Sequence, residues 1–370
     1  MVKSPEVPEF YSALLTWYQV VAADFAWRQD RDPYRVWLSE VMLQQTQVKT
    51  VTPYFTRFIE AFPNVHRLAE ASLEQVLKLW EGLGYYSRAR NLHRAAQQIV
   101  GEFGGVLPRS AIQLQRLPGI GRYTAGAIAS IAFGESAPAL DGNVIRVLSR
   151  LYDFDQLTES PQAQRQLWSW AEALARAAPP DRMADYTQAM MELGREICTP
   201  RRPKCTQCPV QDFCQAKAAN TQMERPVKAA KRAVPHYAAG GALLQGEQAR
   251  ILIVQRPPEG LLGGLWEFPQ IRCDPDELPH MAAAKVLREY LNLAAEIGPE
   301  LTRVRHTFTH FKITLHVFEA VLLPTSRTEP ESLYYPAWRW VQRQELSQFA
   351  FPKADRKVID FLQRGQDRLC

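Results

Sequence analysis

Ala111-Ile112-Gln113-Leu114-Gln115-Arg116-Leu117-Pro118-Gly119-Ile120-Gly121-Arg122-Tyr123 is the stretch on which the fold of the first half of the chain turns. Ala111 to Arg116 and Tyr123 to Phe133 read as helices, and the Gly-rich turn Leu117-Pro118-Gly119-Ile120-Gly121 joins them into a hairpin. A helical hairpin leaves backbone N–H groups free at the start of its second helix. With the helix dipole, those groups make a phosphate seat without sequence preference. A glycine turn that merely reverses the chain is the plainer alternative.

Helical signals extend in both directions from the hairpin. Asp32-Pro33 is an N-cap and first-turn pair for a helix through Gln44. Ser72 and Gln75 form a capping box ahead of Leu73, Val76, Leu77 and Trp80 at helical spacing. Gly104-Gly105 and Pro179-Pro180 punctuate later helices, so residues 1–215 read as an all-α region. Between Ala216 and Pro235 the sequence carries Lys217, Arg225, Lys228, Lys231 and Arg232 against one acid, Glu224. This is a basic linker, either a solvated tether or a direct DNA contact. From residue 236 to 370 the pattern changes to strands, at Arg250–Val254 and Lys312–Val321, with helices over Met281–Leu293 and Lys353–Gln363. The fold class is therefore a multidomain chain, helical first and α+β second.

Bulk composition agrees with two domains. A chain of 370 residues exceeds one ordinary core, and 46% hydrophobic with 22% charged residues describes a globular protein. The net charge of +5 suits a phosphate-bearing partner without proving one. No stretch approaches the ~18 apolar residues of a membrane span. Glu6, Glu9 and Asp24 interrupt the N-terminal apolar residues, against an export signal. A cytoplasmic location with no membrane partner is the expectation.

Four of the six cysteines crowd into Cys198-x6-Cys205-x2-Cys208-x5-Cys214, while Cys273 and Cys370 stand alone. In a reducing compartment such a cluster points to a metal centre. Zinc sites usually combine two tight C-x2-C knuckles or use histidines. One tight pair with wide flanking spacings favours a [4Fe–4S] cluster, with zinc as the alternative. Arg201, Arg202 and Lys204 lie inside the first cysteine loop, which suggests a pinned basic loop aiding phosphate binding.

Two carboxylates complete the chemistry. Glu40 shares a helical face with Val36, Trp37, Leu43 and Gln44, where desolvation raises a carboxyl as a general acid requires. Asp141 in Asp141-Gly142-Asn143 precedes a helix with Val144, Val147, Leu148 and Leu151 on one side. There it could accept backbone N–H bonds and stay ionised, or serve as a plain N-cap. One carboxyl pushed up and one held down is the division of labour of glycosidic cleavage.

Ser39-Glu40-Val41-Met42-Leu43-Gln44-Gln45-Thr46, Gly82-Leu83-Gly84-Tyr85-Tyr86-Ser87-Arg88, the hairpin, Asp141-Gly142-Asn143-Val144 and the four cysteines stand in one order. In that order the sequence resembles MutY-type adenine DNA glycosylases over essentially the whole chain. The resemblance implies that Glu40 protonates departing adenine and later helps activate water. It makes Asp141 the stabiliser of the oxocarbenium-like sugar, through a covalent intermediate, supported by Tyr123 and Asn143. It assigns Gln45 and Tyr85 to wedging the duplex as adenine is flipped out. Leu117, Gly119 and Gly121 then contact DNA, and Arg28 and Gln188 line the adenine pocket. The related endonuclease III-type enzymes carry lysine where this chain has Tyr123. A phenol cannot form the imine that cuts the strand, so the expected enzyme is monofunctional.

In the same family the second domain is Nudix-like and reads 8-oxoguanine. Gly263-Gly264-Leu265-Trp266-Glu267-Phe268-Pro269 is similar to a Nudix opening. The helix Leu287-Arg288-Glu289-Tyr290-Leu291-Asn292-Leu293 has one acid where a Nudix hydrolase clusters several around magnesium. Recognition is thus expected there rather than hydrolysis. Phe308-Thr309-His310 matches the lesion-sensing loop, with threonine where the family more often has serine, and an ordinary alternating strand is the alternative. The implied partner is double-stranded DNA with adenine opposite 8-oxoguanine or guanine, bound by a monomer. Rival readings are a bifunctional glycosylase on oxidised pyrimidines, a Nudix hydrolase tethered to a DNA-binding domain, and a mismatch binder without catalysis.

Overall fold

The computed structural model describes residues 5–230 and 233–364, so Lys231, Arg232 and Cys370 lie outside the described residues. Contacts divide the chain into two units, residues 1–70 with 91–231, and residues 71–90 with 232–370.

The first unit is helical. Its elements include Pro8–Val21, Pro33–Leu43, Val48–Ala61, Ala111–Leu114, Arg122–Phe133, Gly142–Leu151, Pro161–Ala177 and Met183–Glu192. Local chemistry sets the starts: Asp32 accepts from Arg35 N–H at 2.9 Å and Pro33 fills the first turn, as the sequence predicts. The core gathers Phe10, Leu14, Leu167 and Leu174 around Val144, Val147, Leu148 and Leu151, the spaced apolar face behind Asp141. The basic segment after residue 215 is not a free tether over its first half. Arg150 Nε donates to Gln222 O at 2.8 Å, Arg225 pairs with Asp153 at 2.9 Å, and Thr158 N–H donates to Val227 O at 3.1 Å.

The second unit is built on a mixed sheet of β1 (His236–Gln245), β2 (Ile251–Gln255), β3 (Trp266–Glu267), β4 (Gln270–Arg272), β5 (Ala295–Thr307), β6 (Lys312–Leu322) and β7 (Ala337–Val341). The order is β3-β2-β1-β6-β5, with β4 also on β1 and β7 also on β2. β1 and β6 run parallel from His236↔Lys312 to Gln245↔Val321. Alternation gives the sheet two apolar faces. Leu243, Leu315 and Val317 pack under the helix Lys353–Arg364, and Leu244, Phe318 and Ala320 pack with Val286 and Leu287. The helix expected over Met281–Leu293 begins at Pro279, widens into a π turn over Val286–Tyr290 and then ends. Glu289 is exposed there and pairs with Arg288.

Residues 71–90 pack in this second unit although the sequence groups them with the helical half. Their helix, Leu73–Trp80, starts with the predicted Ser72/Gln75 capping box. Trp266 Nε1 donates to Glu74 at 2.9 Å, and Lys78 Nζ donates to Phe349 O at 3.0 Å. Glu81 is gripped by Arg356 through both carboxylate oxygens and also accepts from Phe351 N–H at 2.9 Å. Helical periodicity tells which face is apolar, not what covers it.

Candidate active site and cluster loop

Glu40 sits on the inward face of the Pro33–Leu43 helix and is 6% exposed. Tyr123, in the first turn of Arg122–Phe133, donates its phenol proton to Glu40 Oε2 at 2.8 Å. Burial pushes the Glu40 carboxyl up to about 7; the Asp141 charge adds to the rise, while the Tyr123 hydrogen bond and the Arg28 charge oppose it. Burial, with the two carboxylates, also raises the Tyr123 phenol, which stays a proton donor.

Asp141 is the N-cap of Gly142–Leu151. Its Oδ1 accepts from Val144 N–H and its Oδ2 from Asn143 Nδ2, both at 2.8 Å. The sequence expectation that such a carboxyl is held low is corrected in direction. Burial raises Asp141 from its ordinary value, against the hydrogen bonds from Val144 and Asn143 and the Arg146 charge. Helix-start hydrogen bonds do favour the anion, but desolvation outweighs them. An asymmetry survives: Glu40 has one phenol donor, whereas Asp141 has two N–H donors, and each also feels one guanidinium, Arg28 and Arg146 respectively. The four residues Glu40, Tyr123, Asp141 and Asn143 therefore form one constellation.

Arg28 and Gln188 line a cavity of about 340 Å³ together with Tyr18, Trp27, Val36 and Ile131. Val36 lies one helical turn before Glu40, and Arg28 is close enough to act on the Glu40 charge. The hairpin lies where the sequence puts it. Leu117 is buried, Gly119 has φ +77° and a Cβ there would meet Asn91 Cβ at 2.6 Å. Gly121 begins Arg122–Phe133 without a side-chain cap, an arrangement that suits an anion at the helix start. Gln45 is exposed with φ +58°. In the second unit Tyr85, also at positive φ (+49°), shares a 2.8 Å hydrogen bond with Thr309. Phe308 stacks on Phe311 at 4.6 Å, and His310 is exposed, so Phe308-Thr309-His310 forms the turn between β5 and β6 rather than a continuous strand.

The four clustered cysteines share one loop region after the π turn Leu193–Ile197. Cys205 opens a short 3-10 turn that Cys208 closes, with Cys208 N–H on Cys205 O at 3.2 Å. Burial pushes the Cys208 thiol up to about 12 and the Cys214 thiol up to about 11; Cys208 feels the charges of Cys198, Cys205 and Cys214, and Cys214 those of Cys198 and Cys205. Arg150 Nη1 donates to Cys198 Sγ at 3.2 Å, a cation placed for thiolate sulfur. Four half-buried cysteines within one loop region, with a guanidinium on one sulfur, supply the donor set of a four-thiolate cluster. Arg201, Arg202 and Lys204 remain exposed on it.

Two residues missed in the sequence tie this loop to Asp141. Arg146 donates to Asn143 Oδ1 at 3.0 Å, Gly194 O at 2.5 Å and Cys198 O at 2.6 Å. Arg150 reaches Cys198 Sγ and Thr199 O. Both are buried, at 7% and 2% exposure, and stand four residues apart on the helix that Asp141 caps. Two arginines at i, i+4 beside an apolar stripe were the available signal.

Comparison with known proteins settles the family. The profile of HhH-GPD superfamily base excision DNA repair proteins matches residues 38–173, that of the iron–sulfur binding domain of endonuclease III matches 198–214, and that of the NUDIX domain matches 240–361. The adenine DNA glycosylase of Homo sapiens is 39% identical over 99% of this chain and 76% of its own length. This chain belongs to the adenine DNA glycosylase family. The adenine DNA glycosylase of Buchnera aphidicola subsp. Acyrthosiphon pisum is 32% identical over 82% of this chain and 89% of its own. Among solved structures, a thermostable thymine-DNA glycosylase superposes with TM-score 0.51 at 28% identity, covering 57% of this chain and 95% of that one. The glycosylase is accordingly a DNA-binding base excision enzyme that hydrolyses N-glycosyl bonds and carries a [4Fe–4S] cluster on Cys198, Cys205, Cys208 and Cys214.

Proposed function

We propose that this glycosylase removes adenine paired with 8-oxoguanine, or with guanine, and leaves the abasic strand uncut. The observation that carries the reading is the Glu40–Tyr123 hydrogen bond beside the Asp141–Asn143 pair. A carboxyl at about 7 is half protonated near neutral pH, so Glu40 can give a proton to the departing base and afterwards take one from water. Asp141, aimed by Asn143 and Val144, meets the cationic character that develops on the sugar. Tyr123 orients Glu40, and a phenol at that position supplies no amine for strand scission. Cys198, Cys205, Cys208 and Cys214 would hold the cluster, which would serve as a structural clasp for the loop that carries Arg201, Arg202 and Lys204 toward the phosphate backbone.

The Tyr85–Thr309 hydrogen bond supports lesion reading by the second unit, because it couples the residue assigned to the duplex wedge with the one assigned to the lesion. Single-turnover excision from duplexes with adenine opposite 8-oxoguanine and opposite guanine tests this. Thr309→Ala should narrow the preference for the oxidised base by several-fold while excision opposite guanine continues. An unchanged ratio removes Thr309 from recognition. The glycosylase acts as a monomer on this reading.

A further inference from the structure

Glu192, the last residue of the Met183–Glu192 helix, precedes the π turn Leu193–Ile197. Such turns recur at functional sites. Here Gly194 comes so close to Asn143 that a Cβ at 194 would lie 2.7 Å from the Asn143 Cβ, while the Glu192 carboxylate is held inside at 2% exposure. Both carboxylate oxygens are engaged. Oε2 accepts from Arg28 Nη2 at 3.2 Å, and Oε1 accepts from Arg195 Nη2. The guanidinium groups of Arg28 and Arg195 lie over the Phe25 ring at 5.0 and 5.4 Å, and Phe25 is stacked on Trp27 at 4.9 Å.

One arm of Arg28 is thus fixed by a carboxylate and its plane by an aromatic ring. The other arm, Nη1, is buried and has no hydrogen-bond partner. A buried donor without an acceptor is uncommon in a folded protein and marks a place where a ligand, an ion or ordered water can complete it. Arg28 lines the 340 Å³ cavity beside Gln188. The fork of a guanidinium is rigid, so gripping Nη2 determines where Nη1 points.

We propose that Glu192 is a positioning residue for base selection, holding Arg28 so that Nη1 donates to a ring nitrogen of the extruded base. The inference rests on the adenine-pocket reading given above and deepens it. Glu192 touches no substrate; it acts through Arg28.

The test uses full-length, cluster-loaded protein and a duplex with adenine opposite 8-oxoguanine. Glu192→Gln keeps the shape and removes the charge. It should bind the uncleaved duplex within about twofold of wild type, since phosphate contacts dominate that affinity. Single-turnover excision should slow about ten- to a hundredfold, the scale of a misaimed group. Arg28→Gln should do the same, and the double variant should be no slower than the slower single variant. Glu192→Asp, with the charge retracted by one methylene, should fall between wild type and Glu192→Gln. It carries the test if the glutamine variant does not fold, and a wild-type rate for it then overturns the proposal. A wild-type rate for Glu192→Gln, or losses that multiply in the double variant, also overturns it. Wild-type protein that leaves adenine in place would instead overturn the functional reading, and that measurement is made first.

Discussion

Glu40→Gln should abolish most excision and at the same time stabilise the protein at alkaline pH. The ordinary value for this carboxyl is 4.5 and the folded protein raises it to about 7. The folded state therefore holds a proton that the unfolded chain releases from about pH 4.5 upward. Stability contributed by this group falls as pH rises between the two values, and the full penalty is present above pH 7. At about 1.4 kcal/mol per decade of proton concentration, the penalty amounts to roughly 3 kcal/mol. Glutamine cannot ionise and escapes it, and its amide oxygen can still accept the Tyr123 phenol proton. For a unit of this size the variant should melt on the order of 5–10 °C higher at pH 8, and near wild type at pH 4. Excision should fall by about a hundredfold or more, because no proton reaches the leaving base. Thermal melts of cluster-loaded protein at the two pH values, alongside single-turnover excision, check both halves. An equal melting temperature at pH 8, or a gain that is the same at pH 4, would refute the argument that burial raises Glu40.

Other outcomes follow from the same geometry. Asp141→Asn keeps a good helix cap, so its melting temperature should hold within a few degrees while excision is largely lost; the reverse pattern would make Asp141 only a cap. Tyr123→Phe removes a hydrogen bond that lowers Glu40, so the alkaline limb of the excision pH profile should move above pH 7, and a downward shift contradicts the assigned role. Cys198→Ser should cost the cluster and, with it, lesion-duplex affinity at moderate salt; retained affinity in cluster-free protein would separate the basic loop from phosphate binding. Arg356→Gln leaves Glu81 without its two-point partner and should lower the melting temperature of the second unit by a few degrees, read by differential scanning calorimetry.

Much of the site was legible because its chemistry is local. The Asp141 cap, the hairpin glycines and the cysteine spacing are each settled within a few residues, and the structure shows the cap at Asp141, the positive-φ turn at Gly119 and the short turn from Cys205 to Cys208. Glu40 was legible because its helical neighbours are apolar. The electrostatic state of Asp141 was not: its local hydrogen bonds favour the anion, whereas the burial that outweighs them comes from packing distant in sequence. Arg146, Arg150 and Glu192 escaped for the same reason, since their partners lie about 50 to 164 residues away. In the second unit, β1 was hidden by Ala238-Ala239-Gly240-Gly241-Ala242, too small to read as a strand, and β5 by the register shifts between Ile297 and Thr302. The attachment of residues 71–90 to the second unit depends on Glu81 and Arg356, 275 positions apart, which no window of sequence joins.

The measurement that bears most directly on the central claim is single-turnover treatment of a duplex with labelled adenine opposite 8-oxoguanine, divided between lanes with and without hot alkali. The account predicts strand breaks only after alkali, the signature of adenine excision by Glu40 and Asp141 with Tyr123 leaving the backbone intact. Breaks without alkali from nuclease-free protein, or none in either lane with the cluster present, would contradict it.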